Sequence, residues 1–382
     1  MVAPRRVIVI GDGTAGLSVA NKLGFRLQHS PVEITVIGNS PRHYYKPGGL
    51  FISLGDRDLK RYSKGTKFLL SSRISHVRAE VTGINQSERY VLTKGGKRHT
   101  YDYAVIASGA RYCPDKIPGF EGEAKHFYSF NHALELQRYL SKFNEGNLVV
   151  GIPDAPVSFS PALVEFTLLA DEYMRTAGVR EKVQITLFFP GKDPLYAGGV
   201  PSYLKAVLSE RDIEIVSDFS LNAVSQKNKE ILSGSGDSLK YDLLVVPPPH
   251  RGQTFAADSG FDNFNDFINV NEKSLQYKEF PEIFVIGDAA HFESGSVPMS
   301  GSAAVFQSGV VSERISGELG GLSFAKDYRG EAIHEIFLGD KRGISVHFID
   351  GKVQEGKVAE LDFHLKRVGS DSYFSKIVRG MM

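Results

Sequence analysis

One cysteine, no tryptophan, almost no excess charge and no long apolar run mark this 382-residue sequence. Cys113 has no second thiol to pair with, which excludes an internal disulfide, a CxxC redox pair and a cysteine-rich zinc or iron–sulfur centre. Redox chemistry must therefore come from a bound cofactor, and no metal site is expected. The 45 Lys+Arg nearly cancel the 44 Asp+Glu, leaving +1. Such a chain has no long-range field to hold DNA or RNA, so nucleic-acid binding drops out. No run approaches the ~18 apolar residues of a membrane span. Residues 1–6 lead straight into a strand pattern instead of a signal-peptide core, so the expectation is a cytoplasmic protein that does not cross the membrane. Charge blocks, low-complexity tracts and short-period repeats are also absent.

What is present reads as strands alternating with helices, at a length that suits roughly two domains. Residues 6–10 (Arg-Val-Ile-Val-Ile) are β-branched and apolar on both faces, as a central parallel strand requires. Gly11-Asp12-Gly13-Thr14-Ala15-Gly16 follows at once. Residues 17–27 then carry the spacing of an amphipathic helix, and 32–37 form a second buried strand that completes a βαβ unit. Strand patterns recur at 103–107, 148–152, 183–189, 243–246 and 283–286, which predicts a doubly wound α/β architecture. The polar stretch 226–240, with Gly-Ser-Gly-Asp inside it, predicts a hairpin turn region. After about residue 324, charged, short-strand-like pieces lead to a C-terminal appendage.

Each glycine of the first turn has a physical task. Gly11 turns the chain off the strand, Gly13 lets backbone approach a pyrophosphate with no Cβ in the way, and Gly16 permits close helix–sheet packing. The helix start at Thr14 and Ala15 aims N–H groups and partial positive charge at the phosphates. Strand two ends in Ile37-Gly38-Asn39-Ser40 without the usual ribose-binding carboxylate, so the amide of Asn39 or the hydroxyl of Ser40 is assigned that task. Phe284-Val285-Ile286-Gly287-Asp288-Ala289-Ala290 is a buried strand ending in Gly-Asp, which sets a carboxylate where a second ligand segment would cross the first. Capping the following helix is the alternative task for Asp288. Between these two motifs, the segment from Tyr101 to Ala110 brings Ala107, Ser108 and Gly109 to a third strand–turn.

With three such elements in this order, the chain resembles the sulfide:quinone oxidoreductase and flavocytochrome c sulfide dehydrogenase group, relatives of the type II NADH dehydrogenases. Tyr44-Tyr45-Lys46-Pro47-Gly48 is similar to that group's Tyr-Tyr-Gln-Pro segment near the flavin. Val246-Pro247-Pro248-Pro249-His250-Arg251 is similar to its Pro-Pro-His stretch, with Asp258-Ser259-Gly260-Phe261 just beyond. The resemblance implies FAD, two Rossmann-like domains and electron delivery to a membrane quinone. Residues 1–115 and 245–325 would form a discontinuous FAD domain, 116–244 a second Rossmann-like domain, and 326–382 a membrane-interface or dimerisation region. It also implies that Arg42, Pro47, Met299, Ser300 and Gly301 join the cofactor set, and that Asp288 serves the ribityl or phosphate portion.

The middle domain separates the possible donors. An NAD(P)H site needs a second glycine fingerprint after residues 148–150, where this chain has Gly151-Ile152-Pro153-Asp154-Ala155-Pro156. Two prolines remove N–H donors, and Asp154 repels a phosphate. The sulfide branch fits better, but the resemblance implies two cysteines carrying a sulfur chain beside the flavin. Those positions fall on Phe159, next to Ser158, and on Phe337, while Cys113 matches neither. A lone thiol has no second sulfur to complete the exchange. Met299 stands where relatives place a lysine after the proline; Lys46, or the dipole of a helix beginning near Ser300, would then stabilise anionic reduced flavin.

Glu165, on a helix starting near Pro161, resembles a proton-relaying acid, with a solvated or capping carboxylate as the plain alternative. His250 is a second proton-group candidate or a hydrogen-bonded loop histidine. Leu361, Phe363, Leu365, Val368, Phe374, Ile377, Val378 and Met381 are spaced for helices lying on the inner face of the cell membrane, or docking on the protein itself or on a second copy. Gly369-Ser370-Asp371-Ser372 separates them, with Ser370 or Asp371 as N-cap. The expected partners are a quinone and a small electron donor, namely sulfide, a sulfur compound or NADH. Three functions compete: a sulfide:quinone-type FAD oxidoreductase, a type II NAD(P)H:quinone dehydrogenase, and an FAD-binding protein without turnover that acts as a binding partner.

Overall fold

The structure is a computed structural model that describes residues 3–191, 202–320, 326–356, 358–360 and 369–381. The chain starts with β1 (Arg5–Ile10), α1 (Thr14–Arg26), β2 (Val32–Gly38), β3 (Ile74–Arg78) and β4 (Tyr103–Ile106). It then builds β5 (Gly146–Gly151), α2 (Pro161–Thr176), β6 (Val183–Phe188), β7 (Ile213–Val216) and β8 (Leu243–Val245). It returns with β9 (Ile283–Val285) and α3 (Gly301–Leu319). The strands sort into two parallel sheets, ordered β9-β4-β1-β2-β3 and β7-β6-β5-β8. Both sheets run third-second-first-fourth, so the fold is α/β with two Rossmann-like sheets.

Burial explains the strand composition. Val7, Val9, Ile10, Val105, Ile106, Phe284 and Val285 are shielded on both faces, so continuous apolar runs replace alternation. The register then positions the site. Ile10 pairs with Ile37 and with Ile106, and Ile106 pairs with Val285, so four strands end flush and their loops emerge side by side. α1 begins three residues earlier than its apolar spacing predicts, because Gly13 caps it in extended backbone directly after the glycine turn.

A long-period duplication connects the halves. Each sheet receives its fourth strand after a three-stranded antiparallel meander: Val81–Asn85, Tyr90–Thr93 and Arg98–Thr100 in the first, Leu221–Ser225, Glu230–Ser233 and Ser238–Lys240 in the second. A Tyr-Asp pair follows each meander. The Asp102 carboxylate accepts the Arg6 N–H at 2.7 Å and the Asp242 carboxylate accepts the Asn147 N–H at 2.8 Å, pinning each fourth strand to the start of the first.

The C-terminal part forms an antiparallel sheet of β10 (Ala332–Gly339), β11 (Arg342–Ile349) and β12 (Lys352–Glu355), joined by Ala359–Glu360. Ile336, Phe337, Leu338, Ile344, Val346 and Phe348 share the second sheet's core with Leu163 and Phe166.

Of the placements expected for the tail, the described residues take the one docked on the protein itself. Tyr373, Phe374 and Val378 are buried with Leu17 of α1 and Leu69, and the Asn21 amide donates to the Val378 carbonyl at 2.8 Å. Ile377 is half-buried against that cluster, whereas Met381 remains exposed. Leu361, Phe363, Leu365 and Val368 lie outside the described residues. Residues 369–372 are themselves helical, so Ser370 and Asp371 sit inside the turn expected to separate two helices, and Ser370 is fully buried. Among the described residues, no helix is long and apolar enough to cross a membrane.

Candidate functional site

A crevice of about 490 Å3 opens where the four flush strands end. Its walls are Gly11 to Ala15 beyond β1, Gly38 and Asn39 at the end of β2, Ala107 to Ala110 beyond β4, and Gly287 with Asp288 beyond β9. Ser300, the cap of α3, and Gly301 and Ala304 within it also line the crevice, as do Lys46, Tyr112 and residues 253–255. The two distant glycine-bearing motifs thus meet across one cavity of ordinary cofactor size.

The glycines fit a dinucleotide. Gly11 adopts φ +107, and a Cβ there would lie 2.3 Å from the Ala107 carbonyl oxygen. A Cβ on Gly16 would meet the Gly11 carbonyl at 1.9 Å, so these two residues hold turn, helix and sheet in contact. A Cβ on Gly13 would meet nothing within 4 Å and would project into open space. That is the cradle a phosphate requires: exposed backbone at the start of α1 with no side chain in front of it.

Two helices point their starts at the crevice. α1 begins at Thr14, and the Ser300 side chain caps α3 by accepting the Ala303 N–H at 3.2 Å. Gln307, one turn further into α3, accepts the Gly287 N–H at 2.6 Å and fixes the turn that carries Asp288. Asp288 is buried, and the Lys46 ammonium lies 3.6 Å from its carboxylate. Partial desolvation pulls the Lys46 pKa down, but Asp288 and the Tyr112 phenol outweigh it and hold the lysine above its usual value.

Not every expected residue lines this cavity. Arg42 turns away and donates to the Ser63 carbonyl at 3.1 Å, and the Ser40 hydroxyl donates to the Arg42 carbonyl at 2.5 Å. Pro47 caps the short helix Gly48–Ser53. Met299 borders a smaller neighbouring cavity, and its carbonyl accepts the Phe159 N–H at 2.7 Å. Glu165 is buried, and its carboxylate faces the Phe337 N–H at 3.4 Å, away from the crevice wall. Burial first, and then the charges of Glu165 and Glu335, push the Tyr45 phenol far above its usual pKa.

His250 is also buried behind the wall, with Nδ1 2.8 Å from the Pro248 carbonyl and its ring 4.7 Å from Tyr112. Burial lowers its pKa to about 4, with the Pro248 carbonyl and Asp288 opposing and Lys46 assisting, so the imidazole is neutral at pH 7. Its Nε2 has no hydrogen-bond partner. The group expected to deliver protons is thus a neutral acceptor. Cys113 is buried beside Arg111, whose Nη1 lies 2.9 Å from the sulfur.

The two positions where the resemblance implies cysteines hold packed aromatics. Phe159, at φ +51, meets the His334 ring edge-on at 4.7 Å, and Phe337 belongs to the second core. At the end of β5, a Cβ on Gly151 would strike the Phe188 ring at 2.0 Å, and the Asp154 carboxylate accepts the Ser220 hydroxyl at 3.0 Å. The second sheet's equivalent of the glycine cradle is therefore covered by side chains.

Sequence reasoning missed Asp12 and His76. Asp12 lines the crevice, and its carboxylate lies 3.5 Å from His76 Nε2. It occupies a variable place between two glycines, so only the fold reveals where its side chain points.

The sequence matches the family described as "Pyridine nucleotide-disulphide oxidoreductase" over residues 5–308. The mitochondrial sulfide:quinone oxidoreductase of Mus musculus is 25% identical over 356 residues, covering 90% of this chain and 77% of that protein. The type II NADH:quinone oxidoreductase of Staphylococcus aureus (strain NCTC 8325 / PS 47) is 24% identical over 377 residues, covering 93% and 92%. The X-ray structure of the sulfide:quinone oxidoreductase of Aquifex aeolicus superposes with a TM-score of 0.85 at 21% identity, over 98% of this chain and 92% of that one.

Proposed function

The chain belongs to the pyridine nucleotide-disulphide oxidoreductase family, and on that premise we propose that it is an FAD-dependent oxidoreductase that passes electrons to a quinone. One observation carries the reading: the crevice is bounded at once by the Gly11–Ala15 turn and by Gly287-Asp288, with an open cradle at Gly13. Bound FAD would supply the electron transfer that one buried cysteine does not offer. The start of α1 would hold the pyrophosphate through backbone N–H groups. Asp288 would accept hydrogen bonds from hydroxyls of the ribityl chain, with the Lys46 ammonium 3.6 Å from its carboxylate. The start of α3, capped by Ser300, and the cationic Lys46 would favour negative charge developing on the ring.

The relatives named above act on quinones, and this supports a quinone as acceptor here, with the protein working at the inner face of the cell membrane. For the donor, the covered edge at Gly151 and the hydrogen-bonded Asp154 argue against a nicotinamide dinucleotide. The aromatic packing of Phe159 and Phe337 argues against a thiol-borne sulfur chain. A small reductant that reacts directly at the ring is the donor class that remains. We assign residues 1–115 with 245–325 to the FAD domain, 116–244 to the second domain and 326–382 to the appendage. Anaerobic mixing with sulfide, NADH and NADPH in turn, followed by a soluble quinone, tests this. Reduced flavin reoxidised rapidly by quinone is expected, with NADH slow; rapid bleaching by micromolar NADH, or indifference to quinone, would contradict it.

A further inference from the structure

The phosphate cradle is bare, and a bare turn has to be held. Gly13 leaves the start of α1 open because no side chain stands in front of it, yet glycine loses more backbone freedom on ordering than any other residue. A turn ordered only when its ligand arrives binds more weakly than one held ready. Gly13 has no side chain to fasten, so its two neighbours must supply the fastening.

Asp12 and Thr14 are both fastened, and by a single run of hydrogen bonds. His43, on the hairpin strand Arg42–Tyr44, sets Nδ1 3.2 Å from the Asp12 carbonyl oxygen. Its Nε2 lies 2.6 Å from the Tyr373 hydroxyl, which lies 2.6 Å from Thr14 Oγ1. The proton positions follow by elimination. A carbonyl only accepts, so Nδ1 carries the hydrogen. Burial above all lowers the His43 pKa to about 4, so at pH 7 Nε2 is bare and accepts the Tyr373 proton. The Tyr373 oxygen is then left to accept from Thr14. The run thus passes from Thr14 through Tyr373 and His43 to Asp12, and it closes around Gly13.

Tyr373 reaches this circuit from 359 positions further along the chain. His43 and Tyr373 are both buried, and the tyrosine ring stacks on His43 at 5.7 Å and packs on Tyr45 at 4.9 Å. The tail is seated along α1 beyond that point: the Asn21 amide holds the Val378 carbonyl at 2.8 Å, and the Arg379 guanidinium donates to the Phe68 carbonyl at 2.9 Å.

We propose that Tyr373 is a positioning residue for the cofactor: acting through His43 and Thr14, it holds the Gly13 turn in the form that receives the pyrophosphate, so that docking of the C-terminal segment and binding of FAD strengthen one another. The inference rests on the FAD reading above and adds to it a task for the tail. The Thr14 proton is committed to Tyr373, so backbone N–H groups meet the phosphate and that hydroxyl does not donate to it. Reciprocity requires FAD to tighten the tail by the factor by which the tail tightens FAD.

The test titrates flavin-stripped wild type, Tyr373→Phe, Thr14→Val and the double variant with FAD, at a temperature where circular dichroism shows each one folded. Tyr373→Phe keeps the ring and its contacts with His43 and Tyr45. Each single variant is expected to lose about fivefold or more in FAD affinity. The double variant should lose no more than the weaker single one, because both break the same circuit. A Tyr373→Phe protein that binds FAD like wild type, or losses that multiply in the double variant, would overturn the proposal while leaving the FAD reading intact. A merely structural tail gives the first of these results, a lower melting temperature with unchanged affinity. A wild type that binds no FAD would defeat the FAD reading and this proposal together. Hydrogen exchange of wild type needs no variant: amides of 374–380, at a chain end that opens locally, should exchange more slowly once FAD is bound, and an unchanged rate would also overturn the proposal.

Discussion

Replacing Gly13 by alanine separates cofactor recognition from folding. Gly13 has φ −81 and ψ −168, backbone that alanine adopts freely, and its new methyl would meet no protein atom within 4 Å. Alanine is a poorer N-cap than glycine by about 0.5–1 kcal/mol, while the loss of unfolded-state freedom returns about 0.4–1 kcal/mol. The two nearly cancel, so the flavin-free variant should melt within about 2 °C of wild type. The methyl stands where phosphate must approach, so FAD affinity should fall at least tenfold, about 1.4 kcal/mol. Gly11→Ala provides the contrast. Its φ of +107 and the 2.3 Å approach to the Ala107 carbonyl combine backbone strain with a clash, about 3 kcal/mol or more in stability. Denaturant melts of the flavin-free proteins and fluorescence titration with FAD read both quantities. A Gly13→Ala protein that binds FAD like wild type would refute the cradle, and one that unfolds like Gly11→Ala would refute the open space in front of it.

Acid should destabilise the protein in a defined window. Burial above all lowers the pKa of His43 to about 4, of His126 to about 3 and of His250 to about 4. The unfolded chain protonates them near 6.5 while the folded one does not, so stability falls as pH drops from about 6.5 toward 4, by about 1.4 kcal/mol per pH unit for each. Urea melts at pH 7, 6 and 5 check this: His126→Gln should reduce the slope, and a flat profile would contradict the burial. The Tyr373 hydroxyl lies 2.6 Å from both Thr14 Oγ1 and His43 Nε2, tying the tail to the glycine turn. Tyr373→Phe strands buried His43 Nε2 and should cost about 1–3 kcal/mol; an unchanged melting midpoint would show that the tail is not locked there.

The main strands and the glycine turn were legible because period, burial and spacing all act locally. The pattern at 6–10 and 32–37 predicts β1 and β2 to within one residue, since strands buried on both faces must be apolar throughout. The crevice wall was legible at Gly11, Gly13, Thr14, Ala15, Asn39, Ala107, Gly109 and Asp288 for the same reason, because each belongs to a short motif tied to one strand end. What failed depends on side-chain direction. Arg42 and Ser40 follow a strand end like any ribose ligand, yet the pairing of Arg42–Tyr44 with Ser63–Gly65 draws them into that hairpin. The tail's apolar spacing is the same whether it meets lipid or α1, and partner and orientation are tertiary facts. The duplication left one signal, the repeated Tyr101-Asp102 and Tyr241-Asp242, too short to detect without the paired meanders.

The central claim is that two distant glycine-bearing segments grip one flavin dinucleotide. Calorimetric titration of flavin-stripped protein with FAD addresses it most directly. One FAD bound per chain, with affinity reduced in Gly13→Ala, is the predicted result; no uptake of FAD by folded protein would contradict it.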